Sequence, residues 1–369
     1  MSGTGTACDC ACEDDRVKDK VRVGIVGAGW AGQTHAKFYK NHPWVEIAGW
    51  ADVVPGKAAV AAEQFGVPAN AVYLDYREMY EQAELDAVSV CAFNMGHRAP
   101  TVDALALGLP VLLEKPMAAT LEDAQAIMRA ATESKAWLMV GFQPYFSAEH
   151  KAARQIVSSG ALGEIYYAET VAHRRWGIPG GNFVKKATAG AGSLVDIGVY
   201  AIHAALTLMG DQTPVAVSSI AGHPLAKRFK GVQQAFGGTW TAEEVEVEEF
   251  AAGFVRFASG AALVVKSAWA SNIDSMGRTF FLGTQGGLAL DPLELYVNHQ
   301  IENLNLTSTP KGLRPVEDWP EKVRAFADAV RTGAGTPIDP KWAFQVNVIM
   351  DGILRSAEAG REVTVSASY

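Results

Sequence analysis

Val21-Arg22-Val23-Gly24-Ile25-Val26-Gly27-Ala28-Gly29-Trp30-Ala31-Gly32 runs from an apolar strand into a glycine-rich turn, and an Ala- and Lys-containing helix pattern follows. The spacing Gly27-x-Gly29-x-x-Gly32 gives each glycine a physical task. Gly27 permits a tight strand-to-helix turn, Gly29 lets backbone approach a pyrophosphate, and Gly32 lets helix and strand pack closely. Phosphates would rest on the free N–H groups at the positive end of the helix, beside Trp30 and Ala31. Residues 45–51 read as the next strand, and Asp52 closes it 20 residues after Gly32. A carboxylate there accepts both hydroxyls of an adenosine ribose and repels a 2′-phosphate, which favours NAD over NADP. The competing reading makes Asp52 a cap for a helix over 55–64.

The alternation of strand and helix continues beyond that unit. Residues 87–93 form an apolar run, a helix pattern follows to Leu107, and Gly108 stops it. Residues 110–113 read as a strand, Thr120 as the N-cap of a helix to Ser134, and residues 137–140 as a closing strand. Repeated βα units predict an α/β Rossmann domain, a doubly wound parallel sheet with helices on both faces. Ligands of such sheets bind beyond the carboxyl ends of the strands. That rule draws attention to Phe93-Asn94, Glu114-Lys115-Pro116 and Phe142-Gln143.

Past residue 150 strands dominate: 164–172, 215–221, 245–257, 261–271, 278–283 and 293–297, with a hairpin signal at Ser259-Gly260. The pattern predicts a second, α+β domain built on a large, open, mostly antiparallel sheet. The expected organisation is a disordered tail over 1–20, a dinucleotide-binding domain over 21–145 and a substrate-binding and oligomerisation domain over 146–340. A C-terminal helix over 341–369 would pack back toward the first domain.

With 369 residues, 49 % of them hydrophobic, the chain is long enough for two or three globular domains. A net charge of −8 argues against nucleic acid or an anionic membrane as the main partner. No run approaches the roughly 18 apolar residues of a membrane span. The first twenty residues are polar and charged, unlike a secretory signal, so the expected compartment is the cytoplasm. Cys91 sits in an apolar strand and reads as a buried thiol. Cys8, Cys10 and Cys12 share the polar tail, with no fourth ligand at zinc-site spacing, so no metal is expected.

Residues 193–209 (SLVDIGVYAIHAALTLM) form a helix pattern without Lys, Arg or Glu, so no solvated face is evident. Asp196, Tyr200 and His203 fall at i, i+4 and i+7, on one face of a regular helix. Burying three such groups unpaired would cost about several kcal/mol. They form either an internal hydrogen-bond cluster or the wall of a substrate cleft, and Gly198 marks a close approach by backbone or ligand. The segment 173–179 (HRRWGIP) should fold over that cleft, with Arg175 and Trp176 as substrate contacts or as rim residues. Lys185 and Lys186 add positive charge nearby.

In this order the landmarks resemble those of the glucose-fructose oxidoreductase / inositol dehydrogenase / MocA (Gfo/Idh/MocA) family, over roughly residues 21 to 365. They are the GAGWAG turn, Asn94-x-x-His97, Glu114-Lys115-Pro116, Val140-Gly141-Phe142-Gln143, residues 159–163 (SGALG), Gly190-x-Gly192-x-Leu194-x-Asp196-x-Gly198, Ser356 and Gly360-Arg361. The resemblance implies NAD(P)-dependent oxidation or reduction at a secondary hydroxyl of a sugar, a sugar derivative or a cyclitol. It implies a homodimer or homotetramer through the C-terminal sheet. It also implies that Gly27, Gly29, Trp30, Ala31, Gly32, Asp52, Phe93, Asn94, His97, Glu114, Lys115 and Gln143 bind the cofactor, with a cis bond at Lys115-Pro116. Lys115 would steady the developing alkoxide, and Asp196 would orient the acid–base group. That group would be Tyr200, its phenol acidified by the nearby lysine, with His203 as the alternative base or a substrate contact. A redox-neutral NAD-dependent glycosidase and a non-catalytic sugar or nucleotide sensor are the competing classes on the same fold.

Overall fold

The computed structural model describes residues 17–299, 304–313 and 316–369. The first domain alternates β1 (Val21–Val26), α1 (Trp30–Tyr39), β2 (Val45–Ala51), α2 (Lys57–Phe65), β3 (Val72–Tyr73), α3 (Tyr76–Gln82), β4 (Ala87–Val90), α4 (Arg98–Ala106), β5 (Val111–Glu114), α5 (Leu121–Glu133) and β6 (Leu138–Gly141). Its sheet has the order β3-β2-β1-β4-β5-β6, with every pair parallel. Parallel strands covered on both faces carry continuous apolar runs rather than alternation, and β4, β5 and β6 are buried at every position. Val26 pairs with both Ala51 and Val90, so β2, β1 and β4 end level. The strand order reverses between β1 and β4, the crevice where ligands of such sheets bind.

The second domain contains α6 (Ala148–Ser158), β7 (Ile165–His173), α7 (Lys186–Ala189), α8 (Val199–Met209), β8 (Pro214–Gly222), β9 (Gln233–Ala235), β10 (Gly238–Trp240), β11 (Phe250–Phe257), β12 (Ala262–Ala268), β13 (Phe280–Gly283), β14 (Gly286–Ala289), β15 (Glu294–His299) and β16 (Leu304–Ser308). Then come α9 (Asp318–Thr332), α10 (Pro340–Ala359) and β17 (Val363–Thr364). The sheet order is β16-β15-β14-β13-β7-β12-β11-β8-β17, antiparallel throughout except for the β7–β12 pair.

Several elements differ from expectation for local reasons. The strand expected over 245–257 begins only at Phe250, because the residues before it serve as caps. Glu248 accepts from the N–H groups of Gly192 (2.8 Å) and Leu194 (3.0 Å), and Glu249 accepts from Leu225 and Ala226. The β9–β10 ribbon and β14 were not legible, since their short polar or glycine-containing sequences lack alternation, and β16 alternates over only five residues. Although α9 falls within the segment 146–340, it belongs to the first core. Its Val323, Phe326, Ala327 and Val330 pack with Val23, Ile25, Tyr39 and Met139. α10 lies mainly against β8 and α8 and also reaches α5 and β6, so it joins the two domains.

Of the tail expected over 1–20, residues 1–16 lie outside the described residues, Cys8, Cys10 and Cys12 among them. The Lys18 N–H donates to Arg331 O at 3.0 Å, which ties the described end of this segment to α9. Cys91 is a buried free thiol. Among the described residues, the stretch Lys186–Met209 meets the length and composition of a membrane span, but 67 % of its apolar window is buried in the protein.

Candidate active site

At the end of β1 the three glycines are constrained differently. A Cβ on Gly27, which has φ +99°, would lie 2.5 Å from Cys91 O, and a Cβ on Gly32 would lie 2.0 Å from Gly27 O. A Cβ on Gly29 would meet nothing within 4 Å. The protein's own packing therefore demands the first and third glycines, while the second faces open space. Gly29 is also the N-cap of α1; no side chain caps this end and no acidic residue stands in its first turn. Free N–H groups and the helix dipole are left for an anion.

Asp52 sits beside this turn, nearly buried. Its Oδ2 accepts from the Ala28 N–H at 2.7 Å and its Oδ1 from the Val54 N–H at 2.9 Å, while Lys57 Nζ lies 3.4 Å from Oδ2. The cap of α2 is Gly56, with no side-chain hydrogen bond, so Asp52 is not the cap of that helix. Trp30 is 64 % exposed and stands edge-on to Trp319 with ring centroids 5.2 Å apart. Phe93 is exposed at the end of β4, and Asn94 Nδ2 donates to Ala189 O at 2.9 Å, linking that loop to the second domain.

Two residues expected at the cofactor are internal instead. His97 is fully buried with Nδ1 2.9 Å from Pro116 O and Nε2 3.1 Å from Ala92 O. The ring lies between two backbone carbonyls in the loops after β4 and β5, and its single N–H donates to one of them, so the side chain is an internal staple. Glu114 is buried against His35 and Lys322, and its Oε1 lies 2.8 Å from His35 Nε2. Burial alone would raise its pKa; Lys322 and His35 outweigh that and hold it far below the usual carboxylate range.

The Lys115–Pro116 peptide is cis, as expected. Lys115 Nζ donates to the backbone carbonyl of Asp196 at 2.9 Å, lies 3.9 Å from Asp196 Oδ1 and sits 4.7 Å from the centre of the Tyr200 ring. Burial opposes its charge, but Tyr200, Asp196 and Glu114 together keep its pKa above the ordinary lysine value. Asp196 Oδ2 accepts from Trp269 Nε1 at 2.8 Å and from Arg174 Nη2 at 3.3 Å. The Tyr200 hydroxyl accepts from Gln143 Nε2 at 2.9 Å. Its pKa is raised, because burial of the phenolate outweighs the Lys115 charge; the lysine does not acidify this phenol below its usual value. Lys115, Asp196, Tyr200 and Gln143 thus meet at the carboxyl edge of the first sheet.

His203 does not join them. The helix expected over 193–209 opens with a π turn, Leu194–Gly198, before α8 begins. A π turn advances less per residue around the axis than an α turn, so His203 rotates off the face that carries Asp196. It is 2 % exposed and stacked on Phe142, with ring centroids 3.9 Å apart and planes 3° apart. Its Nε2 has no partner among the described residues, and burial drives its pKa well below the usual histidine value. Packing accounts for the glycines here: a Cβ on Gly198 would lie 2.9 Å from Ser267 Oγ, and one on Gly192 would lie 1.9 Å from Glu248 O.

The arginine at the site is also a neighbour of the expected one. Arg175 is exposed and paired with Asp274 at 2.7 Å, whereas Arg174 bridges Asp196 and Gly177 O (3.0 Å). Trp176 is 47 % exposed and backed by Phe229 with ring centroids 4.8 Å apart. Lys185 and Lys186 are exposed at the start of α7. Sequence reasoning missed Arg174, Trp269 and Lys322; only the direct repeat Arg174-Arg175 carried any signal.

The residues present fit a dinucleotide. The helix end at Gly29 is open, and the buried Gln143 Oε1 beside Tyr200 has no partner among the described residues, a feature suited to an amide donor such as a nicotinamide carboxamide.

The sequence matches two family models: "Oxidoreductase family, NAD-binding Rossmann fold" over residues 21–142, and "GFO/IDH/MocA C-terminal domain" over residues 150–289. It is 31 % identical over 353 residues to the D-glucoside 3-dehydrogenase of Escherichia coli K12, covering 93 % of this chain and 97 % of that protein. The inositol 2-dehydrogenase of Rhizobium meliloti is 23 % identical, over 94 % of this chain and 99 % of its own. In fold, levoglucosan dehydrogenase in complex with NADH and L-sorbose aligns with a TM-score of 0.78 at 22 % identity, over 94 % of this chain and 99 % of that one.

Proposed function

This chain belongs to the Gfo/Idh/MocA oxidoreductase family, and we propose that it moves a hydride between NAD and a secondary hydroxyl of a sugar, a sugar derivative or a cyclitol. The observation that carries this reading is the convergence of Lys115, Asp196 and Tyr200 at the carboxyl edge of the sheet whose first strand leads into the open helix end at Gly29. NAD, when bound, would supply the hydride acceptor. Lys115 Nζ stabilises the alkoxide oxygen as hydride leaves the carbon. In alcohol oxidation the hydroxyl proton goes to the Tyr200 phenolate oxygen, which becomes the phenol again and which Gln143 orients. Asp196, held by Trp269 and Arg174, fixes the lysine. Trp176 offers its half-exposed ring to the apolar face of a sugar. Self-association through the large sheet belongs to the same reading; exposed Tyr166, Leu282 and Tyr296 around one depression on that sheet support it.

A panel of D-glucosides, free sugars and inositols incubated with NAD tests the reaction, glucosides first because of the 31 % identical relative. Free NADH should accumulate with at least one of them. Substrate cleaved without NADH would establish a redox-neutral glycosidase instead, and ligand binding without any turnover would leave a sensor.

Cofactor choice should follow Asp52. NAD should bind at least about tenfold more tightly than NADP, because the Asp52 carboxylate repels a 2′-phosphate. Asp52→Ser removes that repulsion and releases Lys57 from its 3.4 Å contact, leaving a cation free to face the phosphate. Titration calorimetry should therefore show the preference relaxed in the variant. Equal affinities in the wild type would refute the assignment.

A further inference from the structure

We propose that Lys322 is a positioning residue of this active site: it reaches in from α9 to anchor the Glu114 carboxylate, and so fixes the turn that presents Lys115. The inference rests on the role proposed above for Lys115. A lysine is almost never fully buried unless paired, yet Lys322 is 0 % exposed. Its ammonium pairs with Glu114 Oε1 and lies 3.6 Å from the centre of the Trp319 ring. Glu114 closes β5, and Lys115 is the next residue.

The groups facing this pair come from three other elements or their ends. His35 of α1 lies 2.8 Å from the same carboxylate oxygen, and its Nδ1 faces Ser89 Oγ of β4 at 3.2 Å and Cys91 Sγ at 3.5 Å. Tyr39 of α1 shares Ser89 Oγ at 2.7 Å. On β6, a Cβ at Gly141 would lie 3.2 Å from Glu114 Oε1 and 3.3 Å from Lys322 Cδ, so the strand leaves room for this pair and little else. The same helix α9 supports the cofactor turn, since Trp319 stacks edge-on to Trp30.

Stability alone gives a weak reason for such a pair, because a buried ion pair can usually be replaced by apolar groups of like volume at no loss. Its place directly before Lys115 gives a functional one. With Lys322 present, Glu114 is neutralised and held on the side away from the cleft. Without it, the buried carboxylate has only His35, its charge acts on Lys115 uncompensated, and the turn loses its anchor.

The test compares Lys322→Met with the double variant Lys322→Met/Glu114→Gln, in the full-length protein. Three readouts are taken: melting temperature, kcat with NAD titration, and the rate at which an amine-reactive reagent acylates Lys115, followed by peptide mass. Lys322→Met should lower kcat by at least about tenfold while NAD affinity changes less than about threefold. Its Lys115 acylation should slow by at least about threefold at fixed pH, since losing a nearby cation raises that amine's pKa. The double variant, free of buried charge, should regain the melting temperature but not kcat. Recovery of kcat together with stability would show a purely structural role and overturn the proposal. So would unchanged kcat and unchanged Lys115 acylation in Lys322→Met. Should the single variant fail to fold, the double variant decides between these outcomes. Acylation and melting need no sugar, so a failure of the proposed sugar chemistry is distinguishable from a failure of this inference.

Discussion

Lys115→Ala is expected to fold, to bind NAD and to lose turnover by at least about a hundredfold, the scale of removing one positioned donor from a developing oxyanion. Folding should survive because the Lys115 side chain keeps 16 % exposure and its contacts lie across the domain interface, with Asp196 and Tyr200. The helix end at Gly29 and the Asp52 carboxylate are separate from it, so NAD affinity should hold within a few fold. Steady-state kinetics beside NAD titration checks both halves. Near-normal turnover would remove Lys115 from the chemistry. Loss of NAD binding would instead make it a cofactor ligand first.

Tyr200→Phe should cost about a hundredfold or more in turnover, because it keeps the ring and its packing while removing the oxygen that accepts or gives the proton. Burial raises the Tyr200 pKa above its usual value. Alcohol oxidation, which needs the phenolate, should therefore quicken as pH rises toward that pKa. Carbonyl reduction, which needs the phenol, should slow over the same range. Phenylalanine should abolish both trends. His203→Asn should behave differently: turnover within about threefold of wild type, with stability lowered by about 1–3 kcal/mol as a stacked, buried ring is replaced by a smaller polar group. No rate loss near pH 6 to 7 is expected from His203, since its pKa lies well below that range. A dead His203→Asn enzyme beside an active Tyr200→Phe enzyme would reverse the assignment.

How much of this was legible differs from residue to residue. The glycine turn was readable because its demands are local. Gly27 needs positive φ and Gly32 needs close packing, and both follow from the spacing of a strand-turn-helix. Strand ends at Glu114-Lys115 and Phe142-Gln143 were readable because an apolar run ends where a polar residue begins. Asp196 and Tyr200 stood out as titratable groups in a helix that otherwise lacks charge.

Other parts of the site were set by contacts between distant segments. His203 looked equivalent to Tyr200 under a regular helical period, and a π turn, packed on Ser267 and capped by Glu248, rotated it into the core. Arg174 and Arg175 are indistinguishable in sequence. The end of β7 sends the first to Asp196 and the second to Asp274. Glu114 reads as a cleft residue until Lys322, 208 positions away, is found against it.

The parallel sheet, the place of the dinucleotide turn and the candidate trio Lys115, Asp196 and Tyr200 could all be read from the chain alone. These depend on periodicity and turn chemistry, which operate over a few residues. Tertiary structure alone decided which titratable groups face the cleft and which are buried, and in which direction burial and neighbouring charges move their pKa values. That outcome depends on desolvation and on partners brought together by folding, and neither is encoded within any single stretch of the chain.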